Sequence, residues 1–584
     1  TFKAYNSNPT TANAVASSSM VVDVVPYISK VTTPLSSIYT STPSAFNRSA
    51  SGVYPIGTGQ TVTLTGYNLS TGSGTTVTIG GVSQTLTTQS STSVSFKVAS
   101  TTKSGSLVLN ASTTPVAATN NSNINTANVV TSGGTTYYYD QQPNNLNNMN
   151  LTDDVAFDVW TFNTLFGTGT SQAIRYPTFK VSTDSTQRVG FAYDYGAQDF
   201  YVNDNGTPIM LDGSYTQWYD TAFAYDATPH FYAMGVNGDN GGGGTTNWAN
   251  NGFYAWQAGN QTADSSGGGT GTGIGAYTTG TWKRFIENAY DGTSGVSDRD
   301  QYPKIAATGS GQIYMSYYDS GLNQLTFRYG TVAASNTFTG ALGNEPNTGT
   351  CSYTGSQVIA NSASTYGVGQ YSAIGVTSTG VAVAAWYDQA NQRLVYSYNT
   401  QPTSATSSSQ WQTNATAIDS NFAGWYVDLA VDGNNGIHIA YYAAGTGDLK
   451  YAYIPAYNQA ASATVVTVDS FLSVGSDIGI TTYYNGTNYV PYISYYMPSF
   501  TQALGSVRVA WRTDFSTPAT PTNGAVNDQY TGNWEVMTIP SSNIAQDYRV
   551  GIGIKTNLSG VNSPILGYST KNGSLYNLET AQLQ

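Results

Sequence analysis

A unit of three short strands recurs along two-thirds of the chain, and few folds accept a chain built that way. The clearest copies are YPTFKVSTDSTQRVGFAYDYGAQDFYV (176–202), YPKIAATGSGQIYMSYYDSGLNQLTFRYG (302–330), YSAIGVTSTGVAVAAWYDQANQRLVYSY (371–398) and WYVDLAVDGNNGIHIAYYAAGTGDLKYAY (425–453). Looser copies begin at 477 and 548, so successive starts lie 126, 69, 54, 52 and 71 residues apart. A period near 50 without any amphipathic helical stretch predicts an all-β propeller rather than a helical solenoid. The long first gap holds TAFAYDATPHFYAMGV and GFYAWQ, a degenerate copy, which makes about seven blades, or six if the gap is pure insertion. An open sheet edge invites aggregation, so the ring has to close. DDVAFDVWTF (153–162) and SLYNLETAQL at the other end are expected to share a blade.

Upstream, residues 24–112 alternate with period 2 (Thr61-Val62-Thr63-Leu64-Thr65; Val77-Thr78-Ile79) between Gly pairs, the pattern of a small antiparallel sandwich. The order P-x-I-x-x-V, G-x-x-V-T-L-T-G-x-N-L, V-T-I-G-G-V, S-V-S-F-K-V, S-G-S-L-V-L resembles the immunoglobulin-like IPT/TIG domain. Pro26, Ile28, Gly66, Asn68, Gly80 and Gly81 stand where that pattern expects them. The resemblance implies a spacer or interaction module and no chemistry. Residues 113–152 read as an Asn/Ser-rich linker, 153–584 as the propeller, and 1–23 as an N-terminal extension able to act as a donor strand. The blades resemble secreted bacterial propellers reading "HISYYD … GDLKYA", loosely related to the sialidase-like superfamily.

Composition excludes several classes. Only 9% of residues are charged, against about 25% in a typical globular chain, while 39% are hydrophobic, so the chain folds but stays soluble through hydroxyls and amides. A net charge of -12 without a basic run argues against nucleic acid. The apolar runs fall short of the roughly 18 residues of a membrane span. One cysteine, Cys351, permits no internal disulfide. The first residue is Thr1, as in a chain that has lost a signal peptide. Eleven Asn-x-Ser/Thr sequons (Asn47, Asn68, Asn110, Asn120, Asn150, Asn205, Asn260, Asn414, Asn485, Asn557, Asn572) are about what composition alone provides.

Chemistry is harder to place. Asp194, Asp319 and Asp388 follow the aromatic strand, with Ala443 at that point in the fourth copy. Recurring once per blade, they sit on different sectors, and a turn role through local N–H bonding is expected. A sialidase-type site would need three arginines, a Tyr nucleophile with its Glu, and an Asp acid. The four glutamates (Glu287, Glu345, Glu535, Glu579) share no blade position, and STDST (182–186) only faintly echoes the family turn. Arg175, Arg284 and Arg549 lie near blade starts and could face the channel, though bracing carbonyls or stacking on Tyr is the expected role. His230 and His438 are singletons, the latter inside a strand. NDNG (203–206), NGDNGGGG (237–244) and VDGNNG (431–436) are oxygen-rich turns without calcium-loop spacing, leaving loosely held Ca²⁺ as the one cofactor open. The doublets Tyr317-Tyr318, Tyr441-Tyr442 and Tyr495-Tyr496 put one ring on each strand face, the inner for packing, the outer for sugar stacking or subunit contact.

The sequence therefore reads as a secreted or cell-surface structural or adhesive protein, not an enzyme. Its expected partners are copies of itself, in a filament or lattice, and surface glycans. The alternative is a carbohydrate-binding propeller or a glycoside hydrolase acting on extracellular glycans. No catalytic, cofactor or metal residue is assigned.

Overall fold

The computed structural model describes residues 27–35, 53–67, 69–70, 74–110, 129–132, 135–138, 155–170, 173–195, 199–212, 217–226, 230–238, 250–257, 282–288, 300–309, 311–319, 323–332, 351–353, 357–470, 473–497, 506–513, 515, 533–541, 549–572 and 575–584. The proposed donor strand 1–23, Pro26, Asn68 and most of the 113–152 linker lie outside these.

The chain is all-β. Among the described residues, seven antiparallel meander sheets follow one another in sequence order. Their innermost strands are Ile174–Val181, Gln217–Tyr225, Asp300–Ala307, Ser372–Val376, Ala423–Val431, Ser476–Tyr484 and Gly551–Thr556. Each of these neighbours the next, and the last neighbours the first, which makes a closed ring; the sheets are numbered blade 1 to blade 7 in that order. The 126-residue gap carries blade 2, with Gln217–Tyr225, His230–Gly238, Asn250–Gln257 and Trp282–Asn288.

Second strands are buried on both faces and read as unbroken apolar runs, as in Ala382–Asp388, AVAAWYD, where every residue is buried. Blades pack through large rings on one sheet set against small residues on the next. Phe179 and Phe191 of blade 1 cluster with Ile565 and Leu578 of blade 7. Gly567 makes room for them: a Cβ there would lie 2.1 Å from the Phe179 ring and 2.4 Å from Phe191. Gly567→Ala should therefore lower the unfolding midpoint by the ~1–3 kcal/mol typical of an overpacked core, measured by denaturant titration.

Blade 7 closes the ring as the sequence anticipates. Its outermost strand, Ala156–Thr170, pairs antiparallel with the C-terminal strand Leu575–Leu583, with Trp160 opposite Leu583. The same strand has a second duty that pattern reading did not foresee. Its first residues pair with Gly105–Asn110 and, in parallel, with Tyr54–Gly57, so one sheet runs from the N-terminal region into the ring.

Those N-terminal strands belong to a two-layer sandwich. Tyr27–Thr32, Thr61–Tyr67, Ser93–Lys97 and Thr85–Gln89 form one sheet; Thr76–Ile79, Val82–Ser83 and Gly105–Asn110 lie in the other. Val62, Leu64, Ile79, Phe96 and Leu107 fill the core, joined by Phe157 and Val159 of the shared strand. Thr61–Tyr67 alternates buried and open positions as its sequence predicts.

Candidate ligand-binding site

The innermost strands of blades 1, 2, 3, 5 and 6 carry a register irregularity near their start, and those of blades 1, 3, 5 and 6 build much of the site. In blades 1, 3, 5 and 6 the register with the second strand slips at a bulge. The first bulge residue is left-handed: Tyr176 (φ 50°), Tyr302 (φ 55°), Tyr426 (φ 51°) and Asp477 (φ 49°). A non-glycine side chain in this region costs roughly 1–3 kcal/mol, and such strain gathers where a bulge re-aims a side chain toward a functional site. All four residues line a cavity of about 470 Å³ at the centre of the ring.

One wall of this channel is aromatic. Tyr302, Tyr371 and Tyr426 come from blades 3, 4 and 5, with ring centroids 5.5 Å and 4.7 Å apart in succession. All three are half-buried, with ring surface open to the channel. Burial pushes the Tyr302 phenol up to about 12 and raises Tyr371 as well, the neighbouring tyrosines adding to the effect. These phenols therefore stay protonated and serve as hydrogen-bonding, stacking surfaces rather than bases.

Charged groups from blades 2, 3, 5 and 7 line the same channel. Arg549 grips Asp220 through both nitrogens, Nη1 to Oδ1 at 2.6 Å and Nη2 to Oδ2 at 2.8 Å. Its Nη1 also donates to the Thr221 carbonyl at 3.2 Å. Burial raises the Asp220 carboxyl even against the pull of Arg549 and Lys304. Lys304 is depressed, first by burial, although Asp428 pulls the other way. Asp428 accepts a hydrogen bond from the Ile480 amide at 3.1 Å. On blade 4, next to Tyr371, the Ser372 hydroxyl is buried and has no partner among the described residues. A half-buried ammonium, an acid–guanidinium pair and an orphaned hydroxyl sharing a channel with three rings can bind a ligand that is polar along one edge and apolar on a face.

The residues singled out from sequence are scattered by comparison. Of the three arginines, Arg549 reaches the channel; Arg175 stands 3.8 Å from Asp194, and Arg284 lies on the outermost strand of blade 2 with its side chain outside the described residues. Asp194, Asp319 and Asp388 are buried at separate points of the ring. Asp388 accepts from Arg393 at 2.8 Å and from the Asn391 side chain and amide, a turn clamp. Glu535 and Glu579 sit on outer strands away from the channel, while the side chain of Glu287 and all of Glu345 lie outside the described residues. His438 is buried, 2.7 Å from the Tyr451 hydroxyl and 3.0 Å from Asp432, and burial holds its imidazole below the ordinary value. The side chain of His230 is not among those described.

The oxygen-rich turns are occupied by their own backbone: Asp432 accepts from the amides of Asn434 and Gly436, and Asn203 from that of Gly206. Residues 239–244 of the third turn lie outside the described residues. Asp184 of STDST accepts from Ser182 and Thr186. No group of three or more His, Cys, Asp or Glu able to hold a metal occurs among the described residues.

In the doublets, Tyr317, Tyr441 and Tyr495 are core residues. Their outward partners are tied inside their own blades: Tyr318 to Asn323, Tyr442 to Ser473, with Tyr496 itself buried. Sequence reading looked for exposed rings at the doublets, whereas the channel rings stand at the first position of the copies at 302 and 371 and at the second of the copy at 425.

No protein-family model matches the sequence, and no curated protein matches it. Several solved structures are similar at low identity. Trypanosoma rangeli sialidase in complex with sialic acid aligns at 9% identity and a TM-score of 0.35, covering 65% of this chain and 55% of that one. The match thus spans about half of the sialidase's length. Polysaccharide lyase Uly1 aligns at 10% identity and 0.38, covering 70% and 89%. A triple mutant of AofleA from Arthrobotrys oligospora aligns at 8% and 0.35, covering 63% and 83%. Values this low transfer no residue roles.

Proposed function

We propose that this chain is an extracellular carbohydrate-binding propeller whose central channel receives a sugar residue, with the N-terminal sandwich acting as a TIG-like spacer. The observation that carries the reading is the wall of Tyr302, Tyr371 and Tyr426 in one channel with the Asp220–Arg549 pair. A pyranose offers an apolar C–H face to stack on an aromatic ring and a rim of hydroxyls that pair with carboxylate, guanidinium and phenol. Two of the three tyrosines occupy left-handed positions, a cost that packing alone does not need.

The assembly reading of the sequence rests on residues 1–23, which lie outside the described structure, so the channel has the stronger support. A glycan array followed by calorimetry on the best binder tests the proposal. Tyr371→Ala should weaken binding about ten-fold, equivalent to ~1.4 kcal/mol of lost contact. Arg549→Met should weaken it more, since it also strands the buried Asp220. Absence of any array signal, or affinity unchanged in Tyr371→Ala, would remove the reading. A fluorogenic glycoside panel decides whether binding leads to turnover. Hydrolysis lost in Asp220→Asn would assign that carboxyl as the acid and convert the proposal to the hydrolase.

A further inference from the structure

A second cavity, of about 630 Å³, opens between blades 3 and 4 at the far end of the ring from the tyrosine bulges. Its floor is blade 3, with Gln312, Tyr314 and Tyr329. One wall is the turn Thr377–Gly380, which joins the first two strands of blade 4. The other is the segment Thr400–Ser404, which begins the irregular insertion between the third and fourth strands of that blade. Among the described residues, no formally charged side chain lines this cavity, in contrast to the channel.

Both walls are built rather than incidental. Gln357, fully buried, donates from Nε2 to the carbonyls of Pro402 at 3.0 Å and Ser404 at 2.9 Å. Its Oε1 accepts from Asn399 at 2.8 Å and from the Trp411 indole at 3.0 Å, so every polar atom of that amide serves to hold the insertion. The opposing turn is pinned from blade 5, where Asn435 Oδ1 accepts from the Ser378 amide at 2.7 Å. Gly380 closes that turn at φ +81°, and its missing side chain leaves the space above the Tyr314 hydroxyl free. Tyr314 is 2% exposed, and its hydroxyl, 3.8 Å from where a Gly380 Cβ would stand, makes no hydrogen bond among the described residues. A phenol whose ring is buried and whose unpaired hydroxyl opens into a cavity meets water or a ligand there.

We propose that this inter-blade cavity is a second binding site, specific for an uncharged polyhydroxylated ligand, in chemical terms a neutral sugar ring. The hydroxyls of Ser378 and Thr403 and the amide of Gln401 can donate and accept; Thr400, whose hydroxyl donates to Gln410 at 2.9 Å, keeps an acceptor oxygen, and Gln312, whose carbonyl accepts from Thr308 at 3.0 Å, keeps its amide donors, as sugar hydroxyls require. A charged ligand would lose hydration without gaining a counter-charge. The site stands independently of the channel reading, because the two cavities share no residue.

Saturation-transfer NMR and calorimetric titration of the whole chain against methyl glycosides of glucose, galactose, mannose and fucose test it. At least one should bind, with an affinity indifferent to added salt and unchanged in the channel variant Tyr371→Ala. Thr403→Trp, at an exposed position that tolerates bulk, should abolish that binding by filling the cavity. Tyr314→Phe should weaken it about three- to ten-fold, the worth of one hydrogen bond. The proposal is overturned if no glycoside in the panel binds, if binding survives Thr403→Trp, or if it disappears in Tyr371→Ala instead.

Discussion

Asp469→Ala is expected to lower the stability of the ring by ~3–5 kcal/mol, the cost of stranding a buried ion pair. Asp469 ends the outermost strand of blade 5, Thr464–Asp469, but its carboxylate works on blade 6. It accepts from the Tyr495 hydroxyl at 2.5 Å and from Arg508 at 2.6 Å, and both charged side chains are essentially inaccessible to water. The same device stands one blade earlier. Asp419 ends the outermost strand of blade 4 and accepts from Tyr441 at 2.8 Å and Lys450 at 2.9 Å of blade 5. Lys450 and Asp419 keep 14% and 10% exposure, so Asp419→Ala should cost clearly less. Denaturant midpoints for the two variants, with Arg508→Ala and the Asp469→Ala/Arg508→Ala pair, close a double-mutant cycle. If Asp469→Ala costs under about 1 kcal/mol, the carboxylate does not clamp neighbouring blades.

Removing the C-terminal strand should be more damaging still. A chain ending at Asn572 lacks Leu575–Leu583, which lies between Asn562–Asn572 and Ala156–Thr170. Leu578 and Ala581 leave their fully buried sites, and two long strand edges face solvent. The expected result is a shift to aggregated material on gel filtration relative to the full chain and loss of a cooperative unfolding transition. Leu578→Ala, which keeps the backbone ladder, should cost only the ~2–5 kcal/mol of a core truncation. A truncated chain that elutes as the full chain does, with an unchanged melting temperature, would mean that closure is dispensable.

Much of this architecture was legible because a propeller writes itself as repetition. The copies starting at 302, 371 and 425 map onto blades 3 to 5, and even the degenerate TAFAYDATPHFYAMGV lies on the first two strands of blade 2. The double role of Ala156–Thr170 was not legible. Alternation in AFDVWTF shows two usable faces but not that one edge pairs with the sandwich and the other with the ring. The channel was half legible. Tyr176, Tyr302 and Tyr371 each open a copy and Tyr426 follows Trp425, a recurrence in plain view. Their orientation depends on bulges and left-handed backbone, which no residue-type pattern announces for tyrosine. Asp220, Lys304 and Asp428 come together only through ring closure and carry no spacing signal.

The shared strand also sets an order of events during synthesis. The sandwich core includes Val155, Phe157 and Val159, so it cannot be completed until that strand has left the ribosome. The strand's other partner, Leu575–Leu583, is made only after every intervening blade. Until then one edge of Ala156–Thr170 has to wait unpaired, and contacts this distant in sequence form slowly. The chain is therefore most vulnerable to misassembly in the interval between the sandwich and the emergence of Leu575–Leu583. The clamps between neighbouring blades, which join segments made close together in time, are the contacts available to hold the growing arc during that wait.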